Sequence, residues 1–229
     1  MSEIFIIHGW TYSLDKWSAE VRALEKLDIK PVLLKVPGLT EPSDKVWDIN
    51  DYIDWLNIQL KDQDKPVVIG HSNGGRIALS YAQKYPDRLG QLILIDSAGV
   101  AHDQAKSAIK LKTLRALSKA GKPLTKVPGA RKAFYKVIGA RDYYEAPPNM
   151  RLTMRNMLAA DQKINFSAIT LPVTIIWGRD DSITPLTDGQ KMHKAITGSK
   201  LYIINDARHA PFWNHSDEVA GIIKQTLQN

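Results

Sequence analysis

Three short runs of consecutive apolar residues, Ile4 to Ile7, Val67 to Ile69 and Leu92 to Ile95, and a fourth interrupted only by Thr174, Val173 to Trp177, constrain what this chain can fold into. A strand that is apolar at every position must be covered on both faces, which is the situation of a parallel strand packed between layers of helices. Pro31 to Val36 and Leu201 to Ile204 read as two further strands. Between them lie segments with apolar residues at helical spacing: Leu14 to Leu27 (Leu14, Trp17, Val21, Leu24, Leu27) and Val46 to Leu60 (Ile49, Ile53, Leu56, Leu60). Gly74 to Tyr85, Leu186 to Ile196 and Ser216 to Leu227 complete the set. Strand and helix alternate, so the expectation is an α/β fold: a mostly or wholly parallel sheet of about six strands with helices on both faces.

The alternation breaks between Val100 and about Ile169, where no strand pattern occurs. Apolar residues in this stretch, among them Ile109, Leu114, Leu117, Phe134, Val137, Ile138, Leu152, Met157 and Leu158, form helical faces that need burial. A helical cap inserted at 100–169 into a core made of 1–99 and 170–229 is therefore expected. The stretch is also basic: from Ala101 to Arg155, thirteen Lys or Arg accompany three Asp or Glu, which more than accounts for the formal charge of +7. Charge concentrated in this way either forms a solvated helical face or steers acidic substrates; it does not call for a nucleic-acid partner. The absence of cysteine excludes disulfides and thiolate metal sites. No apolar run approaches the roughly 20 residues that span a bilayer, and the first residues lack the basic start of a signal peptide. A cytoplasmic monomer or homodimer, with no stable membrane insertion, is the expectation.

The chemistry centres on Gly70-His71-Ser72-Asn73-Gly74, which follows an apolar strand and opens a helix. Gly-x-Ser-x-Gly in that setting is a nucleophile elbow: the glycines let strand and helix close around a strained serine whose hydroxyl projects above the sheet. A serine hydroxyl is a poor nucleophile at neutral pH and needs a base, itself oriented by a third group. The strand ending at Trp177 leads into Gly178-Arg179-Asp180-Asp181, and the one ending at Ile204 leads into Asn205-Asp206-Ala207-Arg208-His209. Both loops lie at the carboxyl edge of the sheet, where sites of open α/β folds form. His209 is the base by position, since His8 and His71 flank turns, His193 lies within a helix, and His102 and His215 lie outside the strand-end loops. Asp180, Asp181 and Asp96 remain open as the acid.

These segments, with His8-Gly9-Trp10 and Leu92 to Asp96, resemble the α/β-hydrolase superfamily over nearly the full chain. In that family the acid commonly sits three residues after the glycine of Gly-x-x-Asp-x-x-x-Pro, which implies Asp181, with Pro185 closing the pattern. The resemblance also implies an oxyanion hole made by the backbone N–H groups of Trp10 and Asn73. Two departures stand out. The chain begins on the His-Gly strand, without the two strands that usually precede it, and Arg208 stands where glycine commonly precedes the histidine; its side chain is expected to point to solvent.

The reading is a serine hydrolase, a carboxylesterase working through an acyl-enzyme with Ser72, Asp181 and His209 and requiring no metal or organic cofactor. Its substrate is expected to be a small to medium apolar acyl or aromatic ester, bound by residues such as Trp10, Tyr135, Met154 and Trp213. Phe134, Tyr143, Tyr144, Met150 and Met157 divide between pocket lining and cap core. The nearest rival is carbon–carbon bond hydrolysis of diketo or dienoic acids, with Arg151 or Arg155 holding a substrate carboxylate. An amide or aminopeptidase-type hydrolase is a further rival, and a non-catalytic binding protein on the same fold is the alternative from another class.

Overall fold

The computed structural model describes residues 2–102 and 146–228. Its six strands are β1 (Ile4–Ile7), β2 (Val32–Leu33), β3 (Val67–His71), β4 (Gln91–Ile95), β5 (Val173–Gly178) and β6 (Lys200–Ile204). They form one sheet in the order β2-β1-β3-β4-β5-β6, with every pairing parallel. Side chains alternate faces along a strand, so each apolar run is divided between two cores. Phe5, Ile7, Val68, Leu92, Leu94, Ile175 and Trp177 belong to one. Ile4, Ile6, Val67, Ile69, Ile93, Ile95, Ile176 and Ile204 belong to the other. That two-sided burial is why the runs are apolar throughout.

Helices α2 (Ile49–Gln59), α3 (Asn73–Lys84) and α5 (Leu186–Ala195) pack on the first face; α1 (Ser18–Glu25) and α7 (Ser216–Leu227) pack on the second. Helix α2 starts at Ile49 rather than Val46 because Asp48 caps it: its carboxylate accepts the N–H groups of Asn50 at 2.8 Å and Asp51 at 3.1 Å, and Asp51 accepts from Asp48 N at 2.9 Å. The stretch expected as a strand over Pro31–Val36 pairs with β1 only at Val32–Leu33. Beyond it the carbonyl of Val36 accepts from Leu39, Thr40 and Glu41, turning the chain away from the sheet. The helix expected from Leu14 opens as a 3-10 turn over Asp15–Trp17. One helix was not foreseen, the four-residue α6 (Pro211–Asn214), too short to show a period. Its Phe212 stacks on Trp17 with centroids 3.8 Å apart.

Of the interrupted region, 103–145 lies outside the described residues, and with it Ile109, Leu114, Leu117, Phe134, Tyr135, Val137, Ile138, Tyr143 and Tyr144. The part that returns to the sheet is α4 (Pro148–Ala160) followed by 3-10 turns at Asp161–Lys163 and Phe166–Ala168. Met150 and Met157 of α4 are buried in the first core, so both are structural. Polar contacts tie the outer side of α4 to the loop before α2: Trp47 N donates to Thr153 Oγ1 at 2.9 Å, and Asn149 Nδ2 to Ser43 O at 2.9 Å. Among the described residues no helix is long and apolar enough to cross a membrane.

Candidate active site

Ser72 sits between the last residue of β3 and the first of α3 with φ 51° and ψ −118°. A non-glycine residue pays strain of about 1–3 kcal/mol in such a region, and the surroundings hold it there. Ser72 N donates to Ile95 O at 3.2 Å, and Ser72 O accepts from Gly75, Arg76 and Ala98 N–H groups at 3.0–3.2 Å. Two glycines permit the approach of neighbouring chain. A Cβ on Gly74 would fall on the carbonyl of Ile7 at the end of β1, and one on Gly9 would stand 2.9 Å from Ser72 Cβ. The elbow is therefore wedged against the His8-Gly9-Trp10 turn.

A continuous hydrogen-bonded chain runs from the serine. Ser72 Oγ lies 3.0 Å from His209 Nε2, and His209 Nδ1 lies 2.7 Å from Asp181 Oδ2. The Asp181 side chain is fully shielded from solvent and that of His209 is 19% exposed, so the imidazole is reachable from outside while its carboxylate is not. Asp181 is held from every side: Oδ1 accepts from Ile183 N at 2.7 Å and Thr184 N at 3.1 Å, and Oδ2 accepts from Thr184 Oγ1 at 2.7 Å. Asp180 is exposed and points elsewhere, and the Asp96 side chain bonds the N–H of Gly178 at 2.8 Å, so neither meets the histidine directly. Arg208 is exposed beside the base.

Groups that the motif pattern did not mark as functional complete the frame. Thr184 Oγ1 stands 2.7 Å from Asp181 Oδ2, 3.1 Å from Asp96 O and 3.2 Å from His209 Nδ1, bridging Asp181 and His209; its place three residues after Asp181 was the only signal. His71 Nε2 lies 2.8 Å from His209 O and fixes the backbone of the loop that carries His209. Burial first, and then the neighbouring His209, hold His71 well below the ordinary histidine range, so it is neutral and donates Nε2–H to that carbonyl. Burial, reinforced by the charge of Asp181, pushes Asp96 well above the usual carboxylate range, which favours its neutral form. His8, also kept neutral by burial, bonds Thr40 Oγ1 at 2.7 Å.

His71, Asp96 and His209 each bring one potential metal-ligating atom within 4.8 Å of the others. Both nitrogens of His209 are engaged by Ser72 and Asp181, His71 Nε2 is turned to a carbonyl, and Asp96 Oδ1 accepts from Gly178 N, so coordination there would dismantle the hydrogen-bonded chain.

Asn73 follows Ser72 in the chain and Trp10 follows Gly9, whose backbone lies against Ser72, and no described residue accepts a hydrogen bond from the backbone N–H of either. Trp10 is half-buried and packs against the first core, whereas Asn73 is buried. Trp213 is half-exposed on α6, with Lys16 Nζ 4.9 Å from its ring centroid. Met154 is half-buried on α4. Tyr135 lies outside the described residues.

A family model described as "alpha/beta hydrolase fold" matches residues 4–216. The chain belongs to the α/β-hydrolase family. Within it, the chain is 23% identical to the pimeloyl-[acyl-carrier protein] methyl ester esterase of Neisseria meningitidis, over 100% of this chain and 93% of that one. It is 26% identical to 2-hydroxy-6-oxononadienedioate/2-hydroxy-6-oxononatrienedioate hydrolase 1 of Pseudomonas putida, over 93% and 84% of the two chains. Among solved structures, the enol-lactonase of Burkholderia xenovorans superposes with a TM-score of 0.71 at 21% identity, covering 100% of this chain and 92% of that one. The protein is accordingly a hydrolase of this family, and the six-stranded parallel sheet expected from the apolar runs is the fold it has.

Proposed function

We propose that this hydrolase is a serine carboxylesterase acting on small to medium acyl or aromatic esters. The observation that carries the reading is the relay Ser72–His209–Asp181, with steps of 3.0 and 2.7 Å, beginning on a serine held at positive φ. Ser72 Oγ attacks the ester carbonyl carbon while His209 Nε2 takes its proton. Asp181 holds Nδ1–H, fixing the tautomer, and stabilises the imidazolium. The oxyanion accepts from the N–H groups of Trp10 and Asn73. Collapse expels the alkoxide, protonated by His209; water, deprotonated in turn by His209, then attacks the acyl-enzyme and frees Ser72. An alkoxide asks less of the acid step than an amine does, and two of the similar proteins, a methyl ester esterase and an enol-lactonase by name, support an ester. The inserted stretch 100–169 is proposed as the roof of the acyl pocket, with Met154 and Trp213 at its edge.

The similarity to the Pseudomonas putida hydrolase favours carbon–carbon cleavage as the second reading. For holding a substrate carboxylate, Arg155 is exposed on α4, whereas Arg151 already donates Nε to Ala146 O at 3.0 Å. A fluorophosphonate probe tests the common nucleophile: wild type should be labelled and Ser72→Ala should not, and equal labelling of the two overturns the serine-hydrolase reading. A panel of p-nitrophenyl esters beside diketo acids then separates the two readings, with turnover of the esters alone expected.

A further inference from the structure

Asn73, the residue after the nucleophile, is 3% exposed, and its carboxamide is oriented by a built network. Arg76, one turn along α3 and also buried, donates Nη1 to Asn73 Oδ1 at 2.6 Å. Its remaining donors form a fork on Asp161, with Nε to Oδ1 at 2.6 Å and Nη2 to Oδ2 at 3.0 Å. Asp161 directly follows α4, so the return of the inserted stretch is what fixes Arg76, and Arg76 fixes which way the Asn73 amide faces. With Oδ1 taken, Nδ2 is the end left over, and among the described residues this buried donor has no acceptor. The indole Nε1–H of Trp10 is likewise buried and without an acceptor among the described residues. Native structures pair nearly all buried donors, so an orphan needs an explanation. Besides the carboxyl oxygens of Glu20 and Asp96 Oδ2, these two nitrogens are the buried side-chain atoms without a partner among the described residues, and they belong to the two residues whose backbone N–H groups also lack an acceptor there.

We propose that Asn73 meets substrate with both of its N–H groups, the backbone one at the carbonyl oxygen and Nδ2 at a second acceptor, so that the site selects esters carrying an oxygen on the carbon next to the reacting carbonyl. Arg76 and Asp161 are positioning residues for that second donor. The two N–H groups of one asparagine are separated by its Cα, Cβ and Cγ, a spacing that suits two oxygens on neighbouring carbons. The inference rests on the serine-esterase reading and narrows its substrate class.

The test compares p-nitrophenyl methoxyacetate with p-nitrophenyl butyrate, which differ by an ether oxygen in place of a methylene. The ratio of their kcat/KM values is divided by the ratio of their hydroxide-catalysed rates, which removes the intrinsic activation by the ether oxygen. Wild type should exceed unity by about tenfold, the discrimination expected of one buried hydrogen bond. Asn73→Ala keeps the backbone N–H and should return the corrected ratio to about one. Asn73→Asp keeps an acceptor for Arg76, replaces the donor by an acceptor, and should take the ratio to one or below. Arg76→Met combined with Asp161→Leu should lower the same ratio while the protein stays folded. A corrected ratio of one in wild type, or a raised ratio that survives in Asn73→Ala or Asn73→Asp, overturns this inference and leaves the esterase standing. Absence of Ser72-dependent turnover of both esters overturns the esterase and this inference together.

Discussion

Glu20 offers a quantitative test of how the layer behind the active site is held. It lies in α1 facing α7, is fully buried, and neither carboxyl oxygen has a hydrogen-bond partner among the described residues. Burial first, and then the nearby charge of Asp217, push it from 4.5 to about 9. The folded protein therefore holds a proton that the unfolded chain releases. This contribution to stability is fully present below pH 4.5 and is lost as pH rises toward 9. At about 1.4 kcal/mol per pH unit, the loss is about 3 kcal/mol by pH 7 and about 6 kcal/mol by pH 9. Glu20→Gln cannot ionise and is free of this slope. Its stability relative to wild type should rise by about 1.4 kcal/mol per pH unit between pH 5.5 and 8.5. Urea unfolding followed by tryptophan fluorescence at pH 5.5, 7 and 8.5 measures the difference directly. Parallel pH dependences for the two proteins would refute the reasoning, because a carboxyl that ionises normally in the fold produces no divergence. The layer at stake includes Trp17, whose ring meets His71 edge-on at 6.0 Å, so loosening it reaches the histidine that holds the His209 loop.

Three further predictions follow from the same geometry. Asp181→Asn should keep the fold and lower kcat on esters by about 10⁴, the loss expected when the base is held in the wrong tautomer; a loss under tenfold would remove Asp181 from the relay. Asp96→Asn mimics the protonated acid, and asparagine tolerates the residue's φ of 42°. Its kcat/KM should stay within about threefold of wild type, with an unshifted pH profile, while a drop comparable to that of Asp181→Asn would show that Asp96 acts as a charged group. Arg76→Met leaves the Asp161 carboxylate buried without its partner and should cost about 3–5 kcal/mol in chemical denaturation; adding Asp161→Leu should recover most of it, and no recovery would mean that the ion pair is not what holds the two segments together.

Much of the frame was readable before any coordinates. The apolar runs foretold which strands have two buried faces, and the Gly-x-Ser-x-Gly context located the positive-φ serine, because few other local arrangements demand small residues on both sides of a serine at a strand end. The boundary errors also have local causes. Asp48 starts at Ile49 the helix expected from Val46, because a carboxylate bonding two N–H groups outweighs the apolar residues before it. The second strand was overextended because the ladder ends with the bond from Leu34 N to Ile6 O at 3.0 Å, and Val36 is buried in the turning segment beyond it. Met150 and Met157 carried no sequence mark separating core from pocket; only the packing of α4 on the first core does so.

By itself, then, the sequence determined the order of the six strands and of the longer helices of the core, the Gly-x-Ser-x-Gly motif and the strand-end loops on which an acid and a base could meet it, since periodicity and turn chemistry are local properties of the chain. Only the tertiary structure decided which atoms touch. Asp181 rather than Asp180 faces His209, Thr184 bridges them, and His71 grips the carbonyl of the residue 138 positions away. The fork of Arg76 on Asp161, 85 positions apart, and the amide orientation it imposes on Asn73 belong to the same class. Hydrogen bonds of this kind are directional and join residues remote in sequence, and no spacing rule along the chain encodes where their ends will be brought together.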